Sequence, residues 1–528
     1  MESSAINKQR WKLVWGATPE GLALYRICLG GLLIVELVLR FNYLHPFYSD
    51  EGTLPRRLFM PNVDDTYKIF CLHCHFGEEW HQRILLGVQV VIAVLFTSGV
   101  ATSLTALVSW YLYLSLTLRN TWMNYILDRY FHYLLFLAIF LPLGDRYSIM
   151  TAKTTSTTTT TATTTTTTKV NNKPTIVFYP ATIALKVLVI WIYLDAGGGK
   201  WMDPKGGWTF GADPLPALDT YARHTLSAQI LYSFVGPFGL RVLTPVVVYI
   251  ELLAAPVALL GTYMGNRFLV YSGVLLICAL HFGIALTLRN AALLSFIACT
   301  PWCIFLPLGL PQEYFKTPAL ATTKYPSKFM GLVSTVVISG LALGTVWLAT
   351  LSQVCDQSVT KIWSTILHNR WNVFVGAEEY VSWEIAPGLL ADGSVVDVWS
   401  KTDEVSWQMP GSGAPCTSTS RPGRWRSFPY LAELEGEEAD VLWRYLCDEW
   451  DRENQADLYP GRRLVKYNFF MLQADVLPEM TFSATRKRHI VSYDCTPETS
   501  STEEKQNMEE ISAQTGAVDT ETDLESEL

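Results

Sequence analysis

IWIYLDAGGGKWMDPKGGWTFG, Ile190 to Gly211, is an apolar run that closes on three glycines, a lysine and a tryptophan-bearing loop. Continued upstream to Ile183, the run is apolar enough to sit in a bilayer, and Lys200 falls where it stops. A lysine there is either an interfacial anchor for a helix end or an amine covered by Trp201 and Trp208. Burial disfavours the ammonium and leaves a neutral amine able to act as a base. Gly197, Gly198 and Gly199 are expected to break the helix and let the chain aim that amine inward.

Counting Ile183–Leu194, nine segments of this character are predicted as membrane spans. The others are Leu22–Leu39, Ile84–Phe96, Ser103–Leu118, Tyr130–Leu143, Val242–Leu260, Leu269–Leu286, Ala291–Leu306 and Met330–Leu351. A crossing helix needs about 20 residues, so the shorter runs rely on their aromatic flanks. Of the 528 residues, 50% are hydrophobic and 17% charged, against about 25% charged in ordinary soluble chains. Eighteen tryptophans and 25 tyrosines suit two membrane–water interfaces. The first apolar run is too long for a signal peptide and lacks a small-residue cleavage site, so it is expected to remain as a span.

Basic residues near the spans set the expected orientation. Lys8, Arg10 and Lys12 precede the first span, Arg146, Lys153, Lys169 and Lys173 follow the fourth, and Lys316, Lys324 and Lys328 follow the eighth. With nine spans all three clusters share one side, the cytoplasmic one, and the C-terminal region faces the other. The net charge of -8 matches the tail Glu503–Leu528, which has nine acidic residues and one lysine. The remainder is near neutral, which argues against nucleic acid as a partner.

The domain organisation follows. Residues 1–352 form the transmembrane domain, interrupted at 151–173 by a threonine-rich loop that cannot bury a core and is expected to be disordered. Residues 353–495 are soluble in composition. Tyr380–Ser400 alternates around Asp392-Gly393, a hairpin signal, Leu464–Val476 has strand character, and Ala439–Trp450 has helical spacing. This is a small exterior α+β domain, followed by an acidic disordered tail at 496–528. The fold class is therefore an all-α polytopic membrane domain of about nine helices with a small exterior α+β domain at its C-terminus.

Ionisable groups inside spans mark candidate chemistry, because each costs about 2.5–3.5 kcal/mol at a helix centre. Glu36 and Arg40 stand one turn apart as an ion pair; Asp128 and His132 are one turn apart at the start of the fourth span. Lys186 is expected to snorkel to the cytoplasmic side, Glu251 sits in the sixth span, and His281 in the seventh with Asn290 at its exterior end. Cys28, Cys278, Cys299 and Cys303 are small packing residues within spans. Cys355, Cys416, Cys447 and Cys495 lie on the expected oxidising side, and at least one disulfide among them is predicted. Cys71-Leu72-His73-Cys74-His75 is half a zinc site without a second pair, so a disulfide or an unpaired loop pair is favoured and no metal is expected.

Four stretches, in this order, resemble the HTTM (horizontally transferred transmembrane) domain family, which is related to vitamin K-dependent gamma-carboxylase. They are LALYRICLGGLLIVELVLRF with FYSDEGTLPR, RNTWMNYILDRYFHYLLFLAIFLPLGDRYS, YLDAGGGKW, and LHFGIALTLRN, spread over about the first 350 residues. The resemblance implies a quinol- or lipid-dependent enzyme, carboxylating or oxidising, with a reduced, vitamin K-like quinone as cofactor and Lys200 as base. It places Asp128 where the family has a histidine, with His132 one turn on, and Gly199 where the family has a second lysine. Asp128, His132 and His281 join Lys200 as catalytic candidates, and Glu251, Asn290 and Trp208 as substrate-binding ones. The implied setting is the endoplasmic reticulum membrane, with the C-terminal domain lumenal and open to a peptide substrate or protein partner. The alternative is a non-catalytic membrane protein that binds or presents a partner through its exterior domain.

Overall fold

The computed structural model describes residues 2–149, 173–209, 215–223, 225–288, 290–318, 321–350, 352, 359–410, 421, 423–431 and 434–496. The threonine run, Cys355, Cys416 and the acidic tail lie outside them. The chain forms two compact units. The larger comprises Met1–Glu384, Gln408–Tyr445 and Met471–Arg488; the smaller comprises Ile385–Trp407, Leu446–Phe470 and His489–Leu528.

The larger unit is mostly helical. Its longer helices are α1 (Glu2–Trp15), α2 (Pro19–Arg40), α3 (Glu79–Ser98), α4 (Thr102–Arg119), α5 (Ile126–Ala138), α6 (Pro180–Trp201), α7 (Leu226–Met264), α8 (Arg267–Thr287), α9 (Ala292–Cys299, continued by a 3₁₀ segment Thr300–Phe305) and α10 (Lys328–Ala349). Their starts are written in the sequence. Thr18 caps α2, accepting from Gly21 N at 3.1 Å, and Pro19 stands at its first position. In α7 Gly236 takes φ 66° and ψ 174°, so the chain kinks there before Pro237 opens the longer part.

Among the described residues, six helices are long and apolar enough to cross a membrane: Pro19–Tyr48, Glu79–Ser98, Pro180–Trp201, Leu226–Met264, Arg267–Thr287 and Lys328–Ala349. The other three predicted spans also form helix, in α4, α5 and α9, but fall short in length or apolarity. Their position explains it. In α5 every residue from Tyr130 to Leu135 is buried, as are Ser109 and Ser115 in α4 and Ser295 in α9. A helix packed among helices can keep polar side chains that a lipid-facing one cannot.

Contacts gather the loops of this unit at two ends. At one end Ala17 bridges Val177, and β1 (Thr175–Val177) pairs in parallel with β2 (Thr322–Lys324). Arg146 meets Glu20 at 3.1 Å, Lys324 pairs with Asp145, and Arg10 donates to Lys316 O at 2.9 Å. At the other end Arg119 donates to Leu54 O at 2.9 Å and Ser49 O at 3.1 Å. There Arg129 reaches Arg370 O, and Asp195 accepts from Trp371 N. Lys186 does not snorkel. It is 2% exposed and gives its protons to Val14 O at 2.7 Å and Gly16 O at 2.6 Å, closing the carbonyl end of α1.

The C-terminal sequence forms β3 (Tyr380–Ile385), β4 (Pro387–Leu390), β5 (Val395–Asp397), helix α11 (Gly436–Glu453), β6 (Leu464–Leu477), β7 (Thr481–Phe482) and β8 (Arg486–Asp494). In the smaller unit β4 and β5 are the hairpin expected around Asp392-Gly393, Gly393 taking φ 87°. The first half of β6 pairs with β4, Gly388 opposite Tyr467. Cys447 and Cys495, the latter just past β8, form a disulfide with Cα atoms 5.6 Å apart, as the cysteine pattern predicted. In the larger unit Cys71 and Cys74 are bridged, Cα atoms 5.2 Å apart, and no group of residues suited to a metal occurs among the described residues.

Candidate functional site

The glycines before Lys200 do not break the helix: α6 runs unbroken through them to Trp201. Gly197 acts on packing instead. A Cβ on Gly197 would lie 3.0 Å from the Leu252 side chain and 3.2 Å from Glu251 Cβ, so glycine lets α7 close on α6 at this level. That approach brings Glu251 to Lys200. The Lys200 ammonium stands 3.0 Å from each Glu251 carboxylate oxygen, with the lysine 3% and the glutamate 7% exposed. Asp195 and Asp128 are engaged elsewhere, and Glu251 is the counter-charge.

Trp208 covers the pair, its ring centroid 5.4 Å from Lys200 Nζ, a cation–π distance. It is 3% exposed, and its indole N–H has no hydrogen-bond partner among the described residues. Trp201 does not share this cover; it is 49% exposed and packs its ring on Tyr249. Two turns before Lys200, on the same face of α6, Tyr193 lies 2.6 Å from His281 Nε2. Trp302 donates its indole N–H to the Tyr193 oxygen at 3.3 Å. Tyr193 therefore has its own proton to give to His281 Nε2 or to Ala298 O. Lys200, Glu251 and Trp208 thus meet in one cluster built from α6, α7 and the loop after α6, and Tyr193 pairs with His281 of α8 two turns earlier on the same face of α6.

Asp128 belongs to a second cluster. Its Oδ1 accepts from Tyr113 OH at 2.9 Å, its Oδ2 from Tyr125 N at 2.9 Å, and Arg40 also reaches it. Arg424, far along the chain, places its two terminal nitrogens 3.0 and 2.9 Å from the two Asp128 oxygens and 2.6 Å from Glu36 Oε1. Arg40 Nε meets the same Glu36 oxygen at 2.7 Å, so the predicted Glu36–Arg40 pair is half of a buried network of two arginines and two carboxylates. Charges of both signs are matched, which is what burial requires.

His132 is apart from both clusters. It is 8% exposed, with its ring tilted against Trp110 at 5.7 Å; its Nδ1 has no partner among the described residues. Asn290 is exposed in a left-handed turn, φ 57°, and touches neither cluster in any described contact. Of the candidates read from sequence, Lys200, Glu251 and Trp208 come together and His281 pairs with Tyr193 on the same face of α6, whereas Asp128, His132 and Asn290 do not join them. Tyr193 and Trp302 were missed because tyrosine and tryptophan are ordinary in such helices. Arg424 was missed because RPGRWR, Arg421 to Arg426, looks like a solvated basic loop.

Comparison of the chain with family models, with curated proteins and with solved structures finds no match. The fold and site define a multi-helix protein with helices able to cross a membrane and a paired lysine and glutamate in its interior.

Proposed function

We propose that the chain is an integral membrane enzyme of the HTTM kind in which Lys200 and Glu251 form the proton-transfer centre. The observation that carries this is the inward lysine, paired with a carboxylate and covered by Trp208. Glu251 takes the ammonium proton, and the neutral Lys200 amine then removes a hydroxyl proton from a substrate held against Trp208. Tyr193 and His281 receive or return protons two turns along α6. The Trp208 N–H, without a partner among the described residues, suits an oxygen-bearing ring or headgroup, which fits a reduced, vitamin K-like quinone or a lipid hydroxyl. Such a hydroquinone would supply the acidic hydroxyl and two electrons. Asp128, in its closed network, acts as a structural residue, and no role in the reaction is assigned to His132 or Asn290.

The test is oxygen uptake by the protein in lipid nanodiscs with a fully substituted naphthohydroquinone or benzohydroquinone. Hydroquinone-dependent uptake is expected, falling about 100-fold or more in Lys200→Ala and Glu251→Gln, the scale of a lost general base. No uptake above protein-free nanodiscs with either compound overturns the enzyme reading. The second reading, a non-catalytic protein presenting a partner through its C-terminal domain, is favoured by the symmetry of the ion pair. Both carboxylate oxygens stand 3.0 Å from the amine, which also serves to clamp α6 to α7.

For topology we propose nine crossings, with the N-terminus and the threonine run cytoplasmic and the C-terminal domain lumenal in the endoplasmic reticulum. Support comes from the loops that gather at two ends and from the Cys447–Cys495 disulfide, which suits an oxidising compartment. Single cysteines introduced near Thr160 and Asp392 should be labelled from opposite sides by a membrane-impermeant maleimide. Labelling of both from one side overturns the odd count.

A further inference from the structure

α4 and α5 bring together two polar side chains that nothing described answers. The indole N–H of Trp110 and the Nδ1 of His132 are buried atoms without a hydrogen-bond partner among the described residues. Their rings lie side by side, centroids 5.7 Å apart. His132 is 8% exposed and Trp110 half-buried. A buried polar group left unpaired costs about 1–3 kcal/mol, so two adjacent ones call for a common partner.

The surroundings of the pair are apolar. Phe136 packs on Trp110 with ring centroids 5.4 Å apart. Trp110 also lies at the margin of a core cluster that holds Leu114, Ile366 and Leu367, and Leu341 and Trp347 of α10 share that margin. The arrangement is fixed at two points. Tyr133 donates its hydroxyl proton to Ile366 O at 3.3 Å, and a Cβ on Gly344 would lie 2.8 Å from Leu367 Cδ2, so glycine lets α10 close on the short helix Lys361–Leu367. Trp110, Phe136, Leu341 and Trp347 are each half-buried and so keep apolar surface turned outward, toward lipid in a chain whose helices can cross a membrane.

The two polar atoms select the chemistry of what they bind. An indole only donates, whereas a neutral imidazole Nδ1 accepts or donates according to tautomer. One hydroxyl answers both. It accepts from the Trp110 N–H and gives its proton to Nδ1, or accepts from both through its two lone pairs. A carbonyl oxygen only accepts, and an ammonium cannot accept from the indole. A charged headgroup would lose its hydration here without a counter-charge. The ring faces of Trp110, Phe136 and Trp347 suit a rigid body better than acyl chains, which lose conformational freedom on binding.

We propose that Trp110 and His132 form the floor of a binding site for a membrane-soluble alcohol of the sterol class, a single hydroxyl on a rigid apolar body. The hydroxyl sits between the indole N–H and Nδ1, and the body lies against Phe136, Leu341 and Trp347. The site is separate from the Lys200–Glu251 pair, with which neither ring has a described contact, and it does not depend on the enzyme reading.

The experiment uses the full-length protein in phosphatidylcholine nanodiscs with a diazirine-bearing cholesterol, and peptide mapping after illumination. Labelling is expected on the peptides that carry Trp110, His132 and Leu341. Unlabelled cholesterol should compete with it, and cholesteryl methyl ether, which keeps the body and lacks the O–H, should compete about 10-fold less well, the scale of one lost hydrogen bond. Labelling absent from these peptides, or not displaced by cholesterol, overturns the proposal and leaves a buried water as the partner of the two atoms. Equal competition by the methyl ether overturns the role of the polar pair, and equal competition by dioleoylglycerol overturns the sterol class. These arms need no variant and so do not depend on one folding. His132→Leu should then lower labelling about 10-fold. His132→Gln, whose amide both donates and accepts, should keep more of it than His132→Leu; equal loss in the two would also count against the hydrogen-bonding role.

Discussion

At the scale of single residues, burial decides what each ionisable group does. His73 shows it outside the helices long enough to cross a membrane. It is fully buried, its Nδ1 is 2.5 Å from Gln82 Oε1, and Gln89 Nε2 stands 2.6 Å from its Nε2. Burial pushes its pKa down to about 4, outweighing the Gln82 hydrogen bond. The folded state therefore keeps His73 neutral where the unfolded chain protonates it. The stability this represents is present above the unfolded value and is lost as pH falls toward the folded one. Acidification from pH 7 to 5 should remove about 2 kcal/mol by linkage. Thermal melts at both pH values check it: His73→Gln should show a smaller pH dependence, and an unchanged dependence would assign the effect to other groups.

At the scale of elements, close approach of helices is what makes the site. Gly197→Val puts carbon where Leu252 and Glu251 already stand, so α6 and α7 must separate or the side chains shift. Overpacking of this kind costs about 1–3 kcal/mol. The melting temperature should fall, and the Lys200–Glu251 pair should loosen, whereas Gly198→Ala, whose Cβ meets only the tip of Met202 at 4.0 Å, should be tolerated. Equal effects of the two substitutions would contradict the packing role. In the smaller unit the Cys447–Cys495 bridge closes 48 residues of chain. The loop-entropy relation gives about 4 kcal/mol for such a closure. Cys447→Ser should show early protease cleavage within 446–470, and indifference to the substitution would mean the sheet needs no staple.

At the scale of the molecule, the network joining Glu36, Arg40, Asp128 and Arg424 ties a late segment to the helices that open the chain. Removing one member strands buried charge, at a cost of about 3–5 kcal/mol. Arg424→Ala should therefore destabilise the protein by that order. Arg424→Ala combined with Asp128→Asn should recover part of the loss, because one orphaned carboxylate is then neutral. Denaturation in detergent, read by intrinsic tryptophan fluorescence, checks the cycle; strict additivity would show that the residues do not act together.

What the sequence determined by itself was local. Apolar runs marked helix at each of the nine expected positions. Asp392-Gly393 marked the β4–β5 hairpin, the helical spacing of Ala439–Trp450 marked α11, and the cysteines of the C-terminal region marked a disulfide. Intramembrane charge singled out Lys200 and Glu251 separately, since a costly residue needs a reason. Local reading failed where glycine has two uses: Gly197–Gly199 looked like a hinge, and only the neighbouring helix shows Gly197 to be a packing surface. The tertiary structure alone decided the partners. Lys200 meets Glu251 across 51 residues of chain, and Asp128 meets Arg424 across 296. The physical reason is that periodicity along a chain tells which face of a helix is buried, but not which distant helix will cover it. That depends on shape and charge complementarity between surfaces that exist only once the helices pack.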